Sequence, residues 1–254
     1  MNAQKEFMEK LAARKPVVGC GLMNVTYSGV MQVYKSCGMD FVLIDCEHGT
    51  LSDVSIEEIL RTCRLLDLPT VVRVPGIHQS LIAKPMDMGA DGIMVPRVDT
   101  VEQLDDIVKY WRFAPRGKKG FGGFAQLRPG ETIPDVNDNR VLSIQIESRE
   151  GAANLEKMLT KYPGELQFVL VGPTDLSVDV GTPGDMYSEV ELEVIADIAK
   201  TCERHGVSLG MFCTGPDVMQ FWADRGINVM WVTAELFLLA NEVGRVKTMF
   251  DDLK

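Results

Sequence analysis

Eight short apolar runs recur along the chain: VVGCGL (17–22), FVLID (41–45), TVVRV (70–74), GIMVP (92–96), VLSIQIE (141–147), FVLVG (168–172), SLGMF (208–212) and NVMWV (228–232). Each is 5 to 7 residues long, and most are rich in β-branched residues. Hydrophobicity is nearly continuous within a run, the pattern of parallel strands covered on both faces. The intervening segments carry a helical period, clearest in SIEEILRTCRLLD (55–67) and VELEVIADIAKTCERHG (190–206), and several are followed by Gly or Pro. The opening MNAQKEFMEKLAARKP reads as an amphipathic helix without the apolar stretch of a signal peptide. Eight strands alternating with helices predict an α/β fold, a closed (β/α)8 TIM barrel formed by residues 1–254 as a single domain. The competing open doubly wound sheet usually has a G-x-G-x-x-G turn after its first strand. Here the first run continues as GCGLMN, which has no such motif. The interval 113–140 has weak periodicity and includes FGGFAQLRPG, and its length predicts a functional loop.

Composition narrows the class. A length of 254 residues is ordinary for one barrel, and 46% hydrophobic with 24% charged residues allows a large core. The net charge of −10 argues against nucleic acid or an anionic membrane as partner. A small anionic substrate has to be drawn in locally, by a metal or an arginine. No run reaches the roughly 18 apolar residues of a membrane span. The six cysteines form no C-x-x-C pair, which argues against a zinc knuckle, and reduced thiols in a cytoplasmic enzyme are the reading they support.

In such a barrel the active site lies at the C-terminal ends of the strands. The second run ends in Asp45-Cys46-Glu47-His48, the third carries Arg73, the fourth leads into Arg97 and Asp99, the fifth carries Gln145 and Glu147, and the sixth leads to Gly172-Pro173-Thr174-Asp175. Polar groups thus gather at one end of consecutive strands. Glu147 and Asp175, on neighbouring strand ends, form a carboxylate pair suited to a hard divalent cation that keeps waters; singly, each also suits a helix cap. His48 follows a buried strand directly, with Asp45 available to orient its ring for proton transfer near neutrality. Arg73 sits inside an apolar strand and needs an anion, either a structural carboxylate or a substrate oxygen.

The blocks LIDCEHG, VPRVDTVEQ, QIESREGAANL and VGPTDLSVDVG resemble those of the HpcH/HpaI aldolase family, metal-dependent pyruvate aldolases, over about residues 5–245. The resemblance implies a (β/α)8 barrel and a homo-oligomer, commonly a hexamer, in which a C-terminal helix packs on a neighbouring subunit. It implies Glu147 and Asp175 as ligands of Mg²⁺, Mn²⁺ or Co²⁺, His48 as the catalytic histidine with Asp45 as its partner, and Arg73 as the arginine that binds pyruvate and stabilises its enolate. Gln145 matches a substrate-binding glutamine, and the backbone N–H groups of Thr174 and Asp175 match those holding the pyruvate carboxylate. The substrates implied are a 2-oxo acid and an aldehyde. The chain departs from the family pattern at Arg116-Gly117-Lys118-Lys119-Gly120 with the FGGFAQLRPG stretch that follows, and at Thr233-Ala234-Glu235. A Schiff-base mechanism needs a strand lysine, and none of the eight runs contains one. Decarboxylation of oxaloacetate passes through the same enolate and stands as an alternative, as does a non-catalytic 2-oxo-acid binding protein.

Overall fold

The computed structural model describes residues 3–253. The apolar runs become β1 (Val17–Leu22), β2 (Phe41–Asp45), β3 (Thr70–Arg73), β4 (Gly92–Val95), β5 (Val141–Ile146), β6 (Phe168–Val171), β7 (Ser208–Cys213) and β8 (Val229–Ala234), which close into one parallel barrel in chain order. Around and between them lie α1 (Ala3–Ala12), α2 (Val30–Ser36), α3 (Asp53–Leu65), α4 (Gln79–Asp87), α5 (Val101–Trp111), α6 (Ile133–Asn139), α7 (Arg149–Lys161), α8 (Pro173–Asp179), α9 (Glu189–Arg204), α10 (Pro216–Ala223) and α11 (Glu235–Asp251). The fold is the (β/α)8 barrel that the pattern predicts. No helix among the described residues is long and apolar enough to cross a membrane.

Alternate residues of each strand face opposite ways. In β2, Phe41 and Leu43 join the cluster that fills the barrel interior, with Val71, Met94, Leu170 and Trp231. Their neighbours Val42 and Ile44 pack outward against Ile59, Leu60 and Cys63 of α3. Both faces are therefore apolar, which is why the run does not alternate. The inward Phe41 ring needs Gly19 opposite, since a Cβ there would lie 2.4 Å from the ring. The amphipathic α1 closes the bottom of the barrel: Phe7 stacks on Phe41 at 5.1 Å, and Ser208 Oγ donates to the Leu11 carbonyl at 2.7 Å.

The interval 113–140 is partly ordered by α6 and by buried cations. Lys119 donates to Asp87 and Gln126, and Arg140 to Glu131. Phe121 and Phe124 of the FGGF stretch remain exposed. At the other departure, the Glu235 carboxylate accepts from the backbone N–H groups of Met23, Asn24 and Val25 at 2.6–3.1 Å. This ties the first residue of α11 to the loop after β1.

Candidate active site

The strand parity that fills the barrel with Phe41 and Leu43 carries on to Asp45, and the β2–β3 register places Asp45 beside Arg73. Two inward side chains at one level of adjacent strands must meet. Arg73 Nε donates to Asp45 Oδ1 at 2.8 Å and Nη2 to Oδ2 at 2.5 Å, a two-pronged buried ion pair. Arg73 Nη1 lies 3.1 Å from Glu47 Oε2 and donates to Gln145 Oε1 at 3.3 Å. Across the barrel the Trp231 ring stacks on the guanidinium, 4.8 Å from its carbon. The strand-embedded arginine is thus partnered by protein carboxylates, while Arg73 still lines the cavity above.

Asp45 is placed differently from the sequence expectation. Besides Arg73, its Oδ1 accepts from the backbone N–H groups of Glu47 (3.0 Å) and His48 (3.3 Å), folding the turn after β2. It makes no hydrogen bond to the His48 ring. The carboxylate beside that ring is Glu47, with Oε2 3.9 Å from His48 Nε2. The reason is geometric: Asp45 still obeys the inward strand parity, whereas His48 has left the strand and stands exposed on the rim. The other two histidines have local duties, His78 capping α4 and His205 pairing with Glu156.

Glu147 follows β5 and Asp175 lies in the first turn of α8, just beyond β6. Glu147 is 7% exposed, and its Oε1 accepts from the Arg97 backbone N–H at 3.0 Å. Burial, reinforced by the Asp175 and Glu47 carboxylates and opposed chiefly by the Arg97 N–H, pushes its carboxyl up to about 7. Asp175 Oδ1 accepts from Arg97 Nη2 at 2.6 Å. Gly172 leaves room for the pair: a Cβ there would sit 2.3 Å from Glu147 Oε2. The residue next to it in the chain, Pro173, starts α8, so Thr174 and Asp175 present first-turn N–H groups without intrahelical partners.

These groups share one cavity of about 250 Å³ at the C-terminal mouth of the barrel. Arg73, Gln145 and Glu147 form its polar part, His48, Thr174 and Asp175 its rim, and Leu170, Phe212, Trp231 and Phe237 its apolar wall. No cluster of three or more His, Cys, Asp or Glu arranged to hold a metal occurs among the described residues. Two carboxylates nevertheless fit a hard cation that takes its remaining ligands from water and substrate. A nearly buried Glu147 beside a second carboxylate, with no donor on its Oε2, is the charge arrangement that such a cation relieves. Sequence reading singled out Arg73, Gln145, Glu147, Asp175, Thr174 and His48, all of which line this cavity. It missed Trp231 and the roles of Glu47, Arg97 and Gly172. Trp231 was readable from its inward parity, whereas the other three depend on loop conformation.

A family model described as HpcH/HpaI aldolase/citrate lyase matches residues 25–241. The chain is 27% identical to a hydroxypyruvate/pyruvate aldolase of Roseobacter denitrificans, over 92% of this chain and 93% of the relative. It is also 27% identical to a 2-keto-3-deoxy-L-rhamnonate aldolase of Escherichia coli, over 98% and 95%. Its structure superposes on a crystal structure of an HpcH/HpaI aldolase from Desulfitobacterium hafniense with TM-score 0.86 and 26% identity, covering 95% of both chains.

Proposed function

The chain belongs to the HpcH/HpaI aldolase/citrate lyase family and is a carbon–carbon lyase, and from that premise we propose that it is a divalent-metal-dependent pyruvate aldolase. It cleaves a 4-hydroxy-2-oxo acid to pyruvate and an aldehyde, or joins the two. The observation that carries this reading is the gathering of Glu147, Asp175, Arg73, Gln145 and His48 around one small cavity.

Glu147 and Asp175 hold the cation, Mg²⁺, Mn²⁺ or Co²⁺. When bound, it supplies the positive charge that lowers the cost of forming the pyruvate enolate. The N–H groups of Thr174 and Asp175 hold the substrate carboxylate. Gln145 accepts from Arg73 through Oε1, which fixes its amide and leaves Nε2 to donate to a substrate oxygen. Asp45 does not touch substrate; it anchors Arg73, whose Nη1 edge adds cationic character beside the developing enolate. In cleavage, His48 takes the proton of the 4-hydroxyl, the C3–C4 bond breaks, and its electron pair passes into the enolate. The aldehyde departs, C3 takes a proton from water to become the methyl group of pyruvate, and His48 gives its proton back to solvent. Glu47, beside the His48 ring, is placed to steady the charge that the ring acquires.

The protein acts as a homo-oligomer, with a hexamer as the expected state. In α11 only Glu235 is buried, while Leu236, Leu239, Val243 and Met249 are exposed. The cysteines at 20, 37, 46, 63, 202 and 213 are all free, in keeping with a reducing cytoplasm.

The test is pyruvate release from a panel of 4-hydroxy-2-oxo acids, with oxaloacetate alongside. We expect release to stop with EDTA and to return with Mg²⁺, Mn²⁺ or Co²⁺. Full activity after exhaustive chelation, or no pyruvate from any member of the panel, overturns the reading.

A further inference from the structure

Arg97 touches both members of the acidic pair, by two different parts of itself. Its backbone N–H donates to Glu147 Oε1 at 3.0 Å, and its guanidinium Nη2 donates to Asp175 Oδ1 at 2.6 Å. Its φ of +54° lies in the left-handed region that few residues other than glycine adopt. Such a backbone is maintained only where its surroundings over-determine it. Here the backbone is held by the Glu147 carboxylate and by the next N–H, that of Val98, which donates to the Gln145 carbonyl at 3.2 Å.

The neighbouring charges add a second observation. Beside the main cavity lies another hollow of about 260 Å³ that shares Glu147 and Asp175 with it. Its wall carries four carboxylates, those of Asp99, Glu147, Asp175 and Asp179, and Arg97 is the sole cation among its described lining residues. Arg73, the other guanidinium at the mouth, is already committed to Asp45 and Glu47. Arg97 is therefore the cation that answers the acidic pair. Its side chain is 63% exposed, so it can swing away at small cost.

Resting on the metal assignment above, we propose that Arg97 is the internal counter-cation of the acidic pair, competing with the divalent cation for Asp175 and thereby setting the metal affinity. A cation held by the Asp175 carboxylate sits at about 2–2.5 Å from its oxygen. A guanidinium still bonded to the same carboxylate is then only a few ångströms away, and like charges at that range repel. The metal has to displace the guanidinium, and the free energy of the ion pair is subtracted from that of metal binding. The backbone N–H to Glu147 is unaffected, so Arg97 both steadies one ligand and withholds the other.

The test is Mn²⁺ titration followed by electron paramagnetic resonance, which reads free Mn²⁺ and needs no turnover. Arg97→Asn removes the charge while keeping the N–H and a residue tolerant of positive φ. We expect its Mn²⁺ dissociation constant to fall by about 3- to 30-fold, a surface ion pair plus the repulsion it entails. Arg97→Lys should change affinity less. Arg149→Gln, which deletes an exposed charge at the start of α7 that has no bond to Asp175, should stay within about two-fold. The rise in melting temperature caused by saturating Mn²⁺ should be larger for Arg97→Asn than for wild type, and Arg97→Gln reads the same quantities if the Asn variant does not fold. Unchanged or weakened Mn²⁺ binding in a folded charge-deleting variant overturns the inference and leaves the metal assignment standing. A wild-type protein that binds no Mn²⁺ overturns both.

Discussion

Replacing Gly172 by alanine would separate the proposed metal site from the fold. The backbone there has φ −92° and ψ 89°, outside the left-handed region, so the new methyl brings no conformational strain of its own. It does meet Glu147 Oε2 at 2.3 Å and the Gln145 amide nitrogen at 3.2 Å. Ordinary contact requires about 3.5 Å, so the Glu147 carboxylate has to retreat by roughly an ångström. It can do so by turning about its own side chain, and the cost is modest. The Arg97 N–H bond to Glu147 weakens, worth about 1 kcal/mol. Against this, removing a glycine lowers the entropy of the unfolded chain by about 0.4–1 kcal/mol. Net stability should therefore stay within about 1 kcal/mol of wild type. Metal–ligand distances tolerate only about 0.2 Å, so the same movement should spoil the proposed cation site. Misplacement of a catalytic group by about 1 Å costs on the order of 10²-fold in rate. Urea unfolding, Mn²⁺ titration and pyruvate release should give a folded protein with at least ten-fold weaker Mn²⁺ binding and about 10²-fold lower kcat/KM. Mn²⁺ affinity within two-fold of wild type would mean that Glu147 is no ligand or that Gly172 has slack elsewhere, and the reasoning fails.

Three further outcomes are expected. His48→Ala should lower kcat by about 10²–10⁴-fold with Mn²⁺ affinity unchanged, because the ring pairs with Glu47 and bonds to neither Glu147 nor Asp175; weakened Mn²⁺ binding with kcat restored at saturating Mn²⁺ would make it a ligand instead. Glu191 is fully buried with neither carboxylate oxygen bonded, and burial, aided by Asp185, pushes it up to about 7. A raised carboxyl means that the folded state binds the extra proton between the ordinary value of 4.5 and about 7, so stability falls as pH rises through that window. Glu191→Gln should melt higher than wild type at pH 8, with the gap closing toward pH 4.5, and parallel melting profiles across that range would disprove the assignment. Leu239→Asp combined with Val243→Asp should give a monomer near 28 kDa by light scattering, whereas wild type should run at a multiple of that mass; a monomeric wild type would show that α11 serves its own subunit alone.

Much of this site was legible because strands carry their own parity. Once FVLID is read as a buried strand, Phe41, Leu43 and Asp45 must share a face, and TVVRV puts Arg73 on the same side of the next strand. Their position at strand ends then selects the mouth over the floor. What could not be read is how side chains pair once the backbone leaves the strand. Asp45 and His48 are close in sequence, so an Asp–His contact was the natural expectation, but the turn between them sends one inward and the other to the rim. Arg97 appeared only as one of several polar residues after the fourth run. Its left-handed backbone, which aims its N–H and its guanidinium at two different carboxylates, leaves no trace in composition. Trp231 stacks on Arg73 from across the barrel, a contact set by closure and not by any local pattern.

The clasp made by Glu235 has a mechanical consequence. One carboxylate receives three successive N–H groups from the loop whose first residue, Met23, lines the cavity, and it belongs to the helix whose Phe237 lines the same cavity. A tug on the exposed face of α11 would reach the mouth of the barrel through the Glu235 carboxylate as well as through Phe237. Anything that docks on that face would therefore be geared to the shape of the cavity, and a chain cut short before residue 235 would lose the bolt that holds its own doorway.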